Sequence, residues 1–301
     1  MTLPATSRRH WVAWHLHVDA FGPGATDEVV RQVLGPAVAF LRQHGRTTSW
    51  FFIRYWQLGP HLRFRVADLP AGCHPAMDRL LRNHLMEVSA EAGGPPLTQA
   101  AYQAHAAPLA MAGEGGRCLP LGRLRHPGVY RERYWPEHAR YGGAGLLPES
   151  EALFEEASEL ALSFMALEPS EAARSGLGLR ATEAALGVLP DDDRRLRFCR
   201  RAAAAWQAWA GGENGGEMPV PPPRGRLGGP APAPVRRWVN QLEPAMMLWR
   251  EAVGEEEAQR ILHAHIHMLH NRLGLSVAQE CRHYRALSEA LYPVAAVAVD
   301  Q

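Results

Sequence analysis

The spacing of apolar residues changes character near position 149 of this 301-residue chain. Four earlier segments alternate apolar and polar side chains, or are rich in aromatic and β-branched residues, as strands are: Trp11–Val18, Trp50–Trp56, His61–Val66 and Gly128–Pro136. Beyond Glu149 the apolar residues recur at helical spacing. The pattern predicts an α+β protein, in which an N-terminal antiparallel-rich sheet with helices (residues 1–148) is followed by a mainly helical second half (residues 149–301).

A stretch rich in Gly and Pro, residues 211–234, interrupts the helical half. Helices are predicted on both sides of it, over Arg194–Ala210 and Val235–Val253. Because a segment of this composition has few side chains that a core can bury, we expect a mobile loop there.

The overall charge narrows the choice of partners. The chain has 32 Lys and Arg against 31 Asp and Glu, a formal net charge of +1 at pH 7. This balance argues against binding to nucleic acid or membranes through overall charge, and no apolar run reaches the roughly 18 residues of a membrane span. The four cysteines are scattered, with no CxxC pair, so we expect a cytoplasmic protein with reduced thiols.

The sharpest local feature is the segment HLRFR at residues 61–65. Residues two apart on a strand share a face, so His61, Arg63 and Arg65 are expected to line one surface. Two neighbouring guanidiniums repel each other, and their planar geometry suits a carboxylate or phosphate that would neutralise them. The pattern indicates either an anion-binding surface or a solvated strand face with two charges.

Two further segments carry side chains with catalytic potential. In the segment RYGG, Arg140 precedes two glycines that permit a tight turn. On a predicted helix, His263, His267 and His270 fall on one stripe. The stripe suits general acid–base chemistry or a zinc site, although the sequence lacks the HExxH glutamate of zinc proteases. Histidines packed in a helical core have the same spacing.

Three separated segments fall into one known pattern. They are FFIRYW…GPHLRFR, YRERYWPEHARYGG…ESEALFEEAS and IHMLHNRLG…E. In order and spacing they resemble the C-terminal elimination domain of lantibiotic dehydratases, which also occurs alone as the thiopeptide-type bacteriocin biosynthesis proteins. The resemblance extends from Trp11 to about Leu291 and implies a single elimination-type domain over residues 1–301.

The resemblance implies an enzyme that acts on a leader-bearing precursor peptide whose Ser or Thr hydroxyl has been glutamylated. Elimination of glutamate leaves dehydroalanine or dehydrobutyrine, during lanthipeptide or thiopeptide biosynthesis. Residue for residue, Arg63 and Arg65 correspond to the family's substrate-binding arginines, and Arg140 and His267 to its catalytic residues. His267 would act as base or acid, and no cofactor or metal ion is expected.

The chain lacks the large glutamylation region of full-length dehydratases. We therefore expect it to be one half of a split system, whose other half is a separate tRNA-dependent glutamylating protein. With that division, we expect this chain to make no direct contact with nucleic acid.

Two other functions fit the same segments. Thiopeptide pyridine synthases resemble this domain, but they join two dehydroalanines by a formal 4+2 cycloaddition and release the leader peptide. The arginine pair favours elimination, because a cyclase has no glutamate to bind. The third hypothesis is a non-catalytic subunit that binds the precursor peptide as an added strand at the sheet edge.

Overall fold

The chain forms two compact units. Unit 1 comprises Met1–Tyr102 and Gly122–Pro136, and unit 2 comprises Gln103–Leu121 and Glu137–Gln301. The computed structural model describes residues 9–21, 23–44, 49–91, 95–112, 118–210 and 230–291. The predicted α+β class is confirmed, because a strand-rich N-terminal part precedes a mainly helical second half. The single elimination-type domain over residues 1–301 stays a prediction.

Unit 1 contains a four-stranded antiparallel sheet in the order β2-β3-β1-β4. Its strands are β1 (Trp11–His17), β2 (Trp50–Tyr55), β3 (His61–Ala67) and β4 (Gly128–Glu132). The strand expected to reach Pro136 thus ends four residues earlier. Because β1 lies between β3 and β4, it brings His15 opposite Arg63 and His17 opposite His61.

The two faces of this sheet differ in polarity. On one face Trp14, Leu16, Leu62 and Phe64 are fully buried, which follows from the alternation of apolar residues along β1 and β3. The Trp14 Nε1–H donates a 2.8 Å hydrogen bond to Asp78, on the helix over residues 74–91. The opposite face carries the histidines and arginines that the sequence predicted to share one surface.

The helices of unit 1 include α1 (Pro23–Glu28), α2 (Gly35–His44) and α3 (His74–Glu91). Helix α4 (Gln99–Ala112) divides its residues between the two units. A π-helical segment, Val29–Leu34, joins α1 to α2. The backbone stays helical through Gly35-Pro36, because the wider π turn precedes a proline that has no N–H to donate.

Unit 2 is built almost entirely of helices. They are α5 (Leu147–Met165), α6 (Glu171–Leu186), α7 (Asp192–Ala210), α8 (Ala233–Val253), α9 (Glu255–Leu273) and α10 (Val277–Leu291). Helix α9 packs against α5, α6 and α8, while α7 packs along α10. None of the helices in the described part of the chain has the length and apolar character that crossing a membrane requires.

The starts of α6 and α8 are not evident from the sequence pattern. Helix α6 has Ser170 as its N-cap: the Ser170 hydroxyl accepts from the Ala173 N–H at 3.2 Å. Two glycines inside its first half hide the helical pattern in the sequence. Of the predicted 211–234 loop, residues 211–229 lie outside the described residues, and α8 already begins at Ala233.

Candidate active site

The two arginines of HLRFR lie on the polar face of the unit 1 sheet. The Arg63 guanidinium stacks 3.5 Å from the Tyr55 ring centroid, and its Nε–H donates to His61 Nε2 at 3.2 Å. The Arg65 guanidinium lies 4.7 Å from the Tyr134 ring centroid, and its side chain is buried. Aromatic faces therefore orient both cations, as a rigid anion-binding surface requires.

Three histidines accompany these arginines, and sequence reasoning gave them no role. One side-chain nitrogen from each of His15, His17 and His61 lies within 4.8 Å of the other two. Burial lowers the pKa of His15 to about 3, and the charges of Arg63 and Arg65 lower it further. Burial likewise lowers the pKa of His17 to about 4 and holds that of His61 well below its usual range. All three imidazoles are therefore neutral near pH 7.

In unit 2, His267 forms a hydrogen-bonded pair with a buried carboxylate. Its Nδ1–H donates to Glu280 Oε2 at 2.7 Å, from α9 to α10. Because a carboxylate only accepts, this bond leaves the lone pair of the neutral imidazole on Nε2. The Glu280 side chain is 1% exposed, whereas that of His267 is 22% exposed. The arrangement is a partly exposed imidazole oriented by a buried anion behind it.

The environment of Glu280 keeps it ionised. Burial alone would raise the pKa of this carboxyl, but the neighbouring His267 and His270 hold it well below its usual range. The Tyr284 hydroxyl donates a further 3.2 Å hydrogen bond to Oε1. The ring of Trp206, 4.6 Å from that of His267, covers one side of the imidazole. Charge-assisted hydrogen bonds thus offset the cost of burying the carboxylate.

The other two histidines of the predicted stripe have structural partners. His270 Nε2 donates to Thr182 Oγ1 at 2.9 Å, which ties α9 to α6. His263 lies 4.0 Å from Glu280, and burial lowers its pKa to about 4, with the charges of His267 and His270 adding to the effect. The stripe therefore surrounds a carboxylate: the side chains of His263 and His267 are 23% and 22% exposed, and His267 is the one with the 2.7 Å hydrogen bond to Glu280.

Arg140 lies in a 3₁₀ turn, His138–Tyr141, that packs against α9. The two glycines that follow adopt positive φ, as the tight turn predicted: 76° at Gly142 and 103° at Gly143. A Cβ on Gly142 would lie 3.0 Å from Ile261 Cδ1 of α9, so a glycine is needed for this close approach. The Arg140 guanidinium is paired with Glu137 at 2.9 Å.

The charge of Arg140 also reaches the histidine stripe. It contributes to the lowered pKa of His263, which lies one helical turn before His267. Unit 2 therefore holds Arg140 and the His267–Glu280 pair near one another, and unit 1 holds Arg63 and Arg65. The action of all four on one substrate stays a prediction.

Glu280 is the residue that sequence reasoning missed. It stands in the quoted pattern IHMLHNRLG…E, thirteen residues after His267, but no role was derived for it. The sequence feature that could have indicated a role for Glu280 is Gly274. This glycine adopts the αL conformation, with φ at 72°, ends α9 and turns the chain back into α10. A carboxylate placed on an antiparallel return helix can face the helix before it.

Comparison with known proteins identifies one family and several solved structures with the same fold. The family described as "Lantibiotic biosynthesis dehydratase C-term" matches residues 11–291. Among curated protein sequences, none matches this chain.

Three solved structures share the fold. The pyridine synthase TbtD, from thiomuracin biosynthesis, is 19% identical, with a TM-score of 0.63 over 94% of this chain and 98% of that chain. The tRNA-dependent lantibiotic dehydratase MibB from Microbispora sp. 107891 is 18% identical, with a TM-score of 0.59 over 96% of this chain and 28% of that chain. TsrL is 15% identical, with a TM-score of 0.54 and 94% of each chain covered.

Proposed function

Because this chain belongs to the lantibiotic biosynthesis dehydratase C-terminal family, we propose that it removes glutamate from glutamylated Ser or Thr residues of a ribosomal precursor peptide. Family membership makes it a protein of ribosomal peptide modification. The finer assignment to elimination rests on one observation, the 2.7 Å hydrogen bond between His267 Nδ1 and the buried Glu280 carboxylate. A β-elimination needs such an oriented base.

The chemistry begins at the Cα proton of the modified residue. His267 Nε2 takes this proton, the Cα–Cβ double bond forms, and the bond between Cβ and the ester oxygen breaks. Glutamate departs with both oxygens of its acyl group as a carboxylate, which needs little acid assistance. Glu280 stabilises the imidazolium that results, as the carboxylate does in other carboxylate–histidine pairs.

Negative charge develops on the peptide carbonyl as the proton leaves. A guanidinium stabilises such an enolate-like oxygen through charge-assisted hydrogen bonds. Arg140, held by its glycine turn against α9, is assigned this role. Arg63 and Arg65 are assigned to the carboxylate of the glutamyl group, for which their oriented planes are suited.

The partners follow from the substrate. A leader-bearing precursor reaches this chain only after another protein has glutamylated it from glutamyl-tRNA, and we assign that step to a separate partner in the cytoplasm. The strands β2 and β4 are the outer strands of the sheet, the position at which a leader segment would add as a further strand.

A short peptide carrying an O-glutamyl serine is the direct test. The purified chain should convert it to the dehydroalanine peptide and free glutamate, both measured by mass spectrometry. Arg63→Ala and His267→Ala should each reduce the rate by at least about 100-fold. Arg237→Ala, an exposed position in unit 2, is the matched control and should keep the wild-type rate. Full activity in both site variants would remove the assignment.

Pyridine synthesis is the second candidate, and one observation favours it. The fold of this chain covers 98% of TbtD but 28% of MibB. A multiply dehydrated, azole-containing peptide separates the two functions. Formation of a pyridine with release of the leader, and no glutamate from the O-glutamyl peptide, would replace elimination by cyclisation.

A further inference from the structure

The polar face of the unit 1 sheet holds a cluster that the elimination mechanism does not use. The geometry points to a binding site for one divalent transition-metal ion of the zinc class, with His15, His17 and His61 as its ligands. This site is independent of the proposed elimination, because none of the three histidines has a role in it.

The first argument is the convergence of ligand atoms. One nitrogen from each ring lies within 4.8 Å of the other two, and the register of β1 against β3 fixes the three positions. A tetrahedral ion with nitrogens at 2.0–2.1 Å needs about 3.3 Å between ligands. Binding would therefore draw the rings together by side-chain rotation, with the strands in place.

His61 already has the hydrogen bonding of a metal-bound histidine. Its Nδ1–H donates to the Gly59 carbonyl at 2.8 Å, so the lone pair lies on Nε2. A second-shell bond of this kind to a backbone carbonyl fixes the tautomer of most histidines that bind metals. The carbonyl belongs to a hairpin turn that has positive φ at Leu58 (64°) and Gly59 (108°), a local strain that holds this acceptor in position.

His17 supplies the independent observation. Its side chain is 1% exposed, and neither ring nitrogen has a hydrogen-bond partner among the residues that the structure describes. Buried polar groups are nearly always paired, so an orphaned imidazole needs an explanation. The ring of His17 stacks on that of His61, with centroids 4.2 Å apart, so no organic ligand fits between the rings, and an ion would bind at the nitrogens on their edges. A metal ion would satisfy the His17 lone pair.

Nearby positive charge opposes binding of the metal ion, and this gives the proposal a further testable consequence. The Arg63 Nε–H occupies the His61 Nε2 lone pair at 3.2 Å, so metal binding and this hydrogen bond exclude each other. The guanidinium charges of Arg63, Arg65 and Arg125 all disfavour a positive charge at His15. An anion in the open fourth position would reduce this repulsion. Removal of Arg63 should therefore strengthen metal binding.

Cobalt(II) is the probe, because it occupies zinc sites and absorbs visible light in tetrahedral geometry. The full chain, freed of metal by a chelator, should bind one Co²⁺, and Zn²⁺ should displace it. His15→Ala and His17→Gln should each weaken the affinity by at least about 100-fold, since loss of a second-shell partner alone costs 10–100-fold. Far-UV circular dichroism checks that each variant folds.

Two controls separate this site from others. His84→Gln, on α3, and His267→Gln, in unit 2, should keep wild-type Co²⁺ affinity. Arg63→Ala should raise the affinity about tenfold through loss of one nearby charge and of the competing hydrogen bond. Absence of Co²⁺ and Zn²⁺ binding to the wild-type chain, or wild-type affinity in folded His15→Ala, would overturn the proposal.

Discussion

Glu280 and His267 divide one task between a buried anion and an accessible ring. The carboxylate never meets the substrate in this scheme; it fixes the imidazole tautomer through the 2.7 Å bond to Nδ1. Glu280→Gln keeps the shape of the side chain but removes its charge. We expect the rate of glutamate elimination to fall by about 100-fold or more, as loss of charge does in comparable carboxylate–histidine pairs. Mass spectrometry of the O-glutamyl peptide reaction measures it.

A matched variant and a rescue experiment separate positioning from folding. Glu289→Gln, an exposed position on the same helix, should leave the rate unchanged. Added imidazole should restore part of the activity of His267→Ala, because it replaces the lost base, but should not restore Glu280→Gln with His267 in place. Equal rates in Glu280→Gln and wild type would contradict the positioning role.

Helix α6 contains two glycines whose surroundings differ sharply. A Cβ on Gly176 meets no atom within 4 Å, whereas one on Gly178 would lie 2.5 Å from Leu275 Cδ1 and 3.4 Å from His270 Nε2. Gly176→Ala should therefore raise the free energy of unfolding by up to about 1 kcal/mol, through helix propensity. Gly178→Ala should lower it by about 1–3 kcal/mol, because it overpacks the contact with α9 and the segment after it.

Urea unfolding followed by circular dichroism compares these two variants directly. They carry the same substitution in the same helix, so propensity is equal and only the packing differs. A stabilising effect of Gly178→Ala equal to that of Gly176→Ala would show that α6 does not approach Leu275 as described.

The strands of unit 1 and helix α6 of unit 2 differ in how far the sequence could predict them. Alternation and strand-type composition predicted the four strands, and alternation predicted the shared face of His61, Arg63 and Arg65, because side-chain direction on a strand is a local property. The pairing of β1 with β3 is not local, so the meeting of His15 and His17 with His61 could not be derived. The start of α6 was hidden for the opposite reason: glycines disfavour a helix locally, and tertiary packing overrides them.

In the candidate site, too, the sequence predicted local features but not the contacts between distant segments. Its residues were identified from a family pattern, and the positive φ of Gly142 and Gly143 bears out the predicted turn after Arg140. The partnership of His267 with Glu280 depends on how α10 packs against α9, which periodicity does not encode. Sequence named the histidine but not the anion that orients it.

The chain as a whole buries several neutral imidazoles, and this should make its stability depend on pH. In unit 2, burial lowers the pKa of His265 and of His283 to about 3; charge from Arg272 adds to the effect at His265, and charge from His270 at His283. Both side chains are almost fully buried. The unfolded chain, with ordinary histidine pKa values near 6.5, therefore binds more protons than the folded chain below that pH.

The sign and the pH window follow from that difference. Since the folded pKa values are lowered, full stability is present above about pH 6.5 and is lost as the pH falls towards about 3. Each of the two histidines should cost about 2 kcal/mol between pH 7.5 and 5. The lowered pKa of Glu280 acts in the same direction, but only below the ordinary carboxyl pKa of about 4.5.

The urea concentration at the midpoint of unfolding, measured between pH 7.5 and 5, should fall steadily as the pH falls. His283→Gln, which removes one of the titrating groups, should show a shallower fall of the urea midpoint. A midpoint that does not change between pH 7.5 and 5 would mean that these imidazoles are not buried in the neutral form.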